Sequence, residues 1–130
     1  MRIAILSRNP SLYSTHSLYM AARRRGHYVQ VIDHARCELY MGRHGLEVYY
    51  QDQIIERIDA IIPRIGASAT SYGAAVIRQF ELNGVYSTVQ AEALLRSRDK
   101  RTCFQHLVAH GLAVPETAVV GEPSEIHSAI

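Results

Sequence analysis

The chain has 130 residues, 48% of them hydrophobic and 20% charged, with a formal charge of +2. That length suits one ordinary domain, or one domain and a piece of a second, with enough apolar content to fold without disulfide or metal staples. So small a net charge excludes a broad basic footprint for nucleic acid, and the apolar run over residues 3–6 is too short for a signal peptide or a membrane span.

The first run, RIAILS over residues 2–7, is almost continuously aliphatic, as in a strand buried on both faces of a parallel sheet. The loop NPSLYS follows, with Ser14 or Thr15 placed to cap a helix that runs to about Arg25. Leu18, Ala21 and Ala22 form its apolar stripe, and Gly26 ends it. Arg23, Arg24 and Arg25 read as its solvated end, where basic side chains favour the helix dipole. HYVQVID then gives a second strand over residues 28–33. Strand, helix and strand make a right-handed crossover unit, hence a parallel pair. The first loop, Ser7-Arg8-Asn9-Pro10-Ser11, holds no glycine, which disfavours the close backbone approach that a dinucleotide needs.

CELYMGRHGLEVYYQDQ, residues 37–53, has short β-prone runs around Gly42-Arg43-His44-Gly45 and predicts a hairpin or two edge strands. A buried strand follows at Ala60–Pro63, then a small-residue loop, then a helix from about Ser71 to Asn83 whose inner face is Ala75, Val76, Phe80 and Leu82. VYST reads as a short strand, VQAEALLRS as a short helix, and DKRTCFQHLVAH as another, stopped by Gly111. LAVPETAVV starts a new extended segment, and Glu122-Pro123-Ser124 looks like the entry to one more helix. The expected fold is a small α/β layer structure, about four strands with helices on both faces.

In such a sheet ligands bind at the carboxyl ends of strands. Ser7-Arg8, Asp33-His34 and Pro63-Arg64-Ile65-Gly66 fall there. Arg64 suits a two-pronged hydrogen bond to a carboxylate or phosphate, or alternatively a structural acid. The hydroxyls and amides of GASATSYG make either an anion site at a helix start or a simple capping run. Lys100 is the sole lysine among fourteen basic lysine and arginine residues. It lies in a first helical turn, where Asp99 obeys the helix dipole and a lysine does not; such a lysine either reaches a phosphate or is simply solvated. Cys37 and Cys103 have no metal-ligand spacing and read as free thiols of a reducing cytoplasm. His106 and His110, the histidine pair at helical i, i+4 spacing, lack the glutamate of a zinc protease and read as solvated helix residues, so no metal site is expected.

The blocks AILSR, AARRRGH…VID, IIPRIGASATSYGAAVIRQFELNGV and RSRDKRTCFQHLVAHGLAVPET resemble the RimK family of ATP-grasp glutamate ligases, from Arg2 to about Val120. The resemblance implies a pre-ATP-grasp, Rossmann-like parallel-sheet domain over residues 1–96. Residues 97–130 would then be a linker helix and the truncated start of the ATP-grasp central domain. It implies that Asp99-Lys100 opens the helix into that domain, with Lys100 binding ATP phosphate. Arg8, Arg64 and Gly66 match blocks on the substrate side of the cleft. The implied reaction is ADP-forming: ATP with Mg2+ or Mn2+ activates a carboxylate as acyl phosphate, and the amine of L-glutamate attacks it. The block holding PRIG, TSYG and RQFE looks most like RimK proper, whose acceptor is a small-subunit ribosomal protein. The metal ligands and catalytic residues would lie downstream, so the chain alone is expected to be inactive, without bound cofactor. The expected setting is cytoplasmic, with no membrane or nucleic-acid contact and self-association left open.

Alternatives from the same residues are a ligase acting on a small cofactor or carrier protein, and a stand-alone α/β binding or assembly module without catalysis. A dinucleotide or nucleotide-sugar enzyme is disfavoured by the glycine-free first loop.

Overall fold

The computed structural model describes residues 1–122. These fall into two compact units, Met1–Leu95 and a second that begins at Arg96. In the first unit, strands β1 (Arg2–Leu6), β2 (Tyr28–Ile32), β6 (Ala60–Pro63) and β7 (Tyr86–Ser87) form a four-stranded sheet in the order β2-β1-β6-β7. Every pairing in it is parallel, with Ile3 opposite Val29 on one side and Ala60 on the other. Helices cover both faces, as the sequence predicts.

Alternation along β1 explains the two layers. Ile3 and Ile5 pack with Val29 and with Ala22 of helix α1 (Tyr13–Arg24). Ala4 and Leu6 join Ile61 and the inner face of helix α2 (Thr70–Leu82) in the larger cluster. That face is Ala74, Val76, Ile77 and Phe80, with Gly73 and Gln79 also buried. The predicted inner residue Leu82 is instead 67% exposed, because it stands two residues after Phe80 and so faces the opposite side of α2. Gly26 and Gly111 follow helices with φ of +78° and +73°, the left-handed conformation that ends a helix.

The middle segment is a second, antiparallel sheet of β3 (Cys37–Gly42), β4 (Gly45–Tyr50) and β5 (Gln53–Ile54), so the predicted hairpin is present with one more strand added. Gln51 and Asp52 turn β4 into β5 with φ of +54° and +59°, a primed turn made without glycine. Three side chains of α2 and the residue after it tie this sheet down. Tyr72 donates to the Cys37 carbonyl at 2.6 Å, Gln79 Nε2 to the carbonyls of Tyr40 and Glu47 at 3.0 and 2.6 Å, and Asn83 to that of Leu46 at 2.9 Å. Helix α3 (Ala91–Arg98) buries Ala91 and Leu94.

The second unit contains α4 (Lys100–Ala109), then residues 112–120 without regular structure. The helix expected to enter at Pro123 lies outside the described residues. Among the described residues no helix is long and apolar enough to cross a membrane, and both cysteines are free thiols.

Gln79 is 4% exposed, so Gln79→Leu leaves two carbonyls without their donor. We expect it to cost about 1–3 kcal/mol in denaturant unfolding, against about 0.5 kcal/mol or less for Leu82→Ala at its exposed site. Equal effects would contradict the assignment of Gln79 as the tie between the layers.

Candidate functional site

β1 is the strand from which the chain first turns to one neighbour, β2, and later to the other, β6. Loops leaving β1 and β6 therefore diverge onto opposite faces and open a crevice at their carboxyl ends. Each loop continues the ladder by one bond: Ser7 N–H to the Ile32 carbonyl at 2.9 Å, and Arg64 N–H to the Leu6 carbonyl at 2.8 Å. Ser7-Arg8 and Arg64-Ile65-Gly66 are thus fixed at the mouth of this crevice.

The residues around it differ in one respect from the sequence expectation. Ser14 and Thr15 do not cap α1; its N-cap is Leu12, and no side chain caps the helix. The hydroxyls are used in tertiary contacts instead. Thr15, fully buried, shares a 3.0 Å hydrogen bond with Ser7, and Ser14 Oγ accepts from Arg64 Nη2 at 3.2 Å. Arg64 is exposed, and neither it nor Arg8 has an ion-pair partner among the described residues. The first turn of α1 has no acid. Two guanidinium groups, neither in an ion pair, thus stand next to an uncapped helix start, with Asp33 at the neighbouring end of β2.

Gly66 adopts an extended φ of −75°, and a Cβ there would meet nothing within 4 Å. Neither backbone strain nor packing among the described residues requires glycine at this position. The run GASATSYG does not cap α2 by side chain either: the N-cap is Ala69, and the Thr70 hydroxyl donates back to the Ala67 carbonyl at 2.9 Å.

Asp33-His34 ends β2, and the imidazole of His34 is wholly buried with neither nitrogen hydrogen-bonded. Burial holds its pKa below the ordinary 6.5; the Asp33 charge opposes that shift and Arg8 adds to it. Nearby Cys37 is pushed up to about 12, by burial first and then by Asp33, so it is a neutral thiol and not a nucleophile. The sequence marks His34 only as a strand-end residue; a histidine after a β-branched strand gives no local sign of burial.

The second candidate region lies within the second unit. Asp99 caps α4, accepting from Arg101 N–H at 3.1 Å and from the Thr102 hydroxyl at 2.9 Å. The Thr102 hydrogen bond is the main cause that holds its carboxyl below the usual range. Lys100 is exposed, with no acid partner among the described residues. It stands at the wall of an open groove of about 790 Å³, lined mostly by apolar residues that include Phe104, Val108, Val114, Pro115 and Val119.

An open parallel sheet with helices on both faces and a crevice at its strand ends is the architecture of a nucleotide- or substrate-binding α/β domain. Residues 1–94 match the family model of the RimK PreATP-grasp domain, and the chain belongs to that family. It is 50% identical over its whole length to a protein of Hahella chejuensis named "Probable alpha-L-glutamate ligase 1". It is 48% identical, again over its whole length, to a "Probable alpha-L-glutamate ligase" of Trichodesmium erythraeum. The chain spans 43% and 44% of the length of these two relatives. Among solved structures it resembles a RimK domain ATP-grasp protein of Sphaerobacter thermophilus, with a TM-score of 0.73 at 21% identity, over 99% of this chain and 45% of that one. The ATP-grasp ligase PsnB gives a TM-score of 0.71 at 20% identity, over 98% of this chain and 48% of that one. These two likenesses show a shared fold.

A lowered His34 pKa means that the unfolded chain takes up a proton before the folded one does. Stability from this group is complete above pH 6.5 and falls as the pH drops below it. Urea unfolding between pH 7.5 and 5 should show a loss of up to about 1.4 kcal/mol per pH unit that His34→Leu removes; an unchanged slope in the variant would contradict it.

Proposed function

We propose that this chain is the amino-terminal portion of an ATP-dependent carboxylate–amine ligase. At the length of its relatives, it would join L-glutamate to the carboxyl terminus of a small-subunit ribosomal protein in the cytoplasm. The observation that carries the reading is 50% identity across all 130 residues to a relative named as a glutamate ligase. The acceptor rests on the likeness of Pro63-Arg64-Ile65-Gly66, Thr70-Ser71-Tyr72-Gly73 and Arg78-Gln79-Phe80-Glu81 to RimK proper. We assign residues 1–96 to the pre-ATP-grasp domain and 97–130 to the linker helix and the start of the central domain.

Each part has a defined task in this reading. Arg64, steadied by Ser14, offers a planar fork to a carboxylate. Arg8 adds charge on the same side, and the missing side chain at Gly66 leaves open space for substrate. Lys100 carries an unpaired ammonium suited to phosphate, beside an apolar groove suited to a flat base. When bound, ATP supplies the phosphoryl group that activates the acceptor carboxylate. No cluster of three or more metal-ligating side chains occurs among the described residues, so these residues do not fit a magnesium site, and we assign that task to residues downstream.

In the full-length enzyme, Arg64→Ala should raise KM for glutamate roughly 10–100-fold, the worth of a charge-assisted hydrogen bond, and leave that for ATP nearly unchanged. Lys100→Ala should do the reverse. Either variant without a kinetic effect would overturn its assignment. The 130-residue chain alone should form no ADP with magnesium, glutamate and acceptor; turnover above background would overturn the division of labour.

A further inference from the structure

Helix α4 has a second face that the ligase reading does not use. His106 and His110 lie one turn apart on it, both exposed, with ring centroids 6.4 Å apart and ring planes at 37°. His110 Nδ1 is 2.8 Å from the His106 carbonyl oxygen. A carbonyl only accepts, so Nδ1 carries the proton and Nε2 keeps its lone pair. That is the tautomer, and the kind of orienting bond, found in a metal-bound imidazole. Neither histidine pairs with an acid among the described residues. His110 is also the C-cap of α4, where unpaired carbonyls favour a cation.

We propose that His106 and His110 form a two-imidazole site for a divalent transition-metal ion such as Zn2+, Ni2+ or Cu2+. Imidazole nitrogen selects these borderline ions, whereas Mg2+ demands oxygen ligands and is refused. Rotation of the exposed His106 side chain closes the rings on one ion, at about 2.0–2.1 Å per nitrogen for zinc. Among the described residues no third ligand completes the set, so water fills the remaining positions. Affinity comes from chelation: the second imidazole binds at high effective concentration, giving roughly 10²-fold over one imidazole. The site lies about 120–160° around α4 from Phe104 and Val108 by the 3.6-residue helical repeat, so the ion would clamp the last turn of the helix away from those groove residues.

Calorimetric titration of the chain with ZnCl2 tests this. We expect one ion per chain, with binding weakened about 10-fold or more in His106→Gln and in His110→Gln and unaltered in His16→Gln. Wild-type binding retained in both variants, or no binding by the wild type, would overturn the site. Copper-induced broadening of histidine ring signals in the unsubstituted chain gives a check without mutation. Broadening confined to His106 and His110 supports the site, and broadening centred on other histidines overturns it.

Discussion

The structure depends on the burial of β1 from every side. Ala4, Ile5 and Leu6 have no exposed surface, and parallel neighbours bond to both edges of the strand. A strand so enclosed has no polar position to spare, which is why its sequence reads RIAIL without alternation. The same central position forces successive connections onto opposite faces and opens the crevice where Arg8 and Arg64 stand. The hydrophobic demand of one five-residue strand thereby fixes where polar chemistry can occur.

Helix α2 turns that crevice into a rigid edge. A Cβ on Gly73 would come within 2.5 Å of Ile65 Cγ2, so glycine there allows the helix to sit directly against the residue after Arg64. Ile65 is buried, Pro63 is the last residue of β6, and Arg64 between them has only its side chain free to move. On its far side α2 holds the antiparallel sheet by hydrogen bonds from Tyr72 and Gln79. An arginine on such a support would lose little conformational freedom on meeting an anion.

The parts legible in the sequence are those governed by local pattern. Aliphatic runs marked β1 and β6, alternation marked β2, and Gly26 and Gly111 marked helix ends. What escaped was set by tertiary partners. Ser14 and Thr15 have the chemistry of caps, but Arg64 and Ser7 compete for their hydroxyls from fifty and eight residues away in sequence. Leu82 is apolar like the buried face but comes two residues after Phe80, on the side of α2 turned away from the sheet. Gln51-Asp52 lacks the glycine that advertises a primed turn, and β5, two residues long, went unread with it. His34 shows no local sign of its burial. Arg8, Arg64 and Lys100 stood out in the sequence as candidate residues, whereas the hydroxyl support of Arg64 is visible only in three dimensions.

Whether the mouth at the end of β1 receives a carboxylate can be read directly from backbone amide shifts of the isotope-labelled chain during titration with L-glutamate. The account predicts saturable changes at Arg8, Ser14, Arg64 and Gly66, with the Gln79 and Tyr40 amides unmoved. Changes scattered over the surface, or none at those four positions at tens of millimolar ligand, the range of a weak single-anchor site, would contradict it.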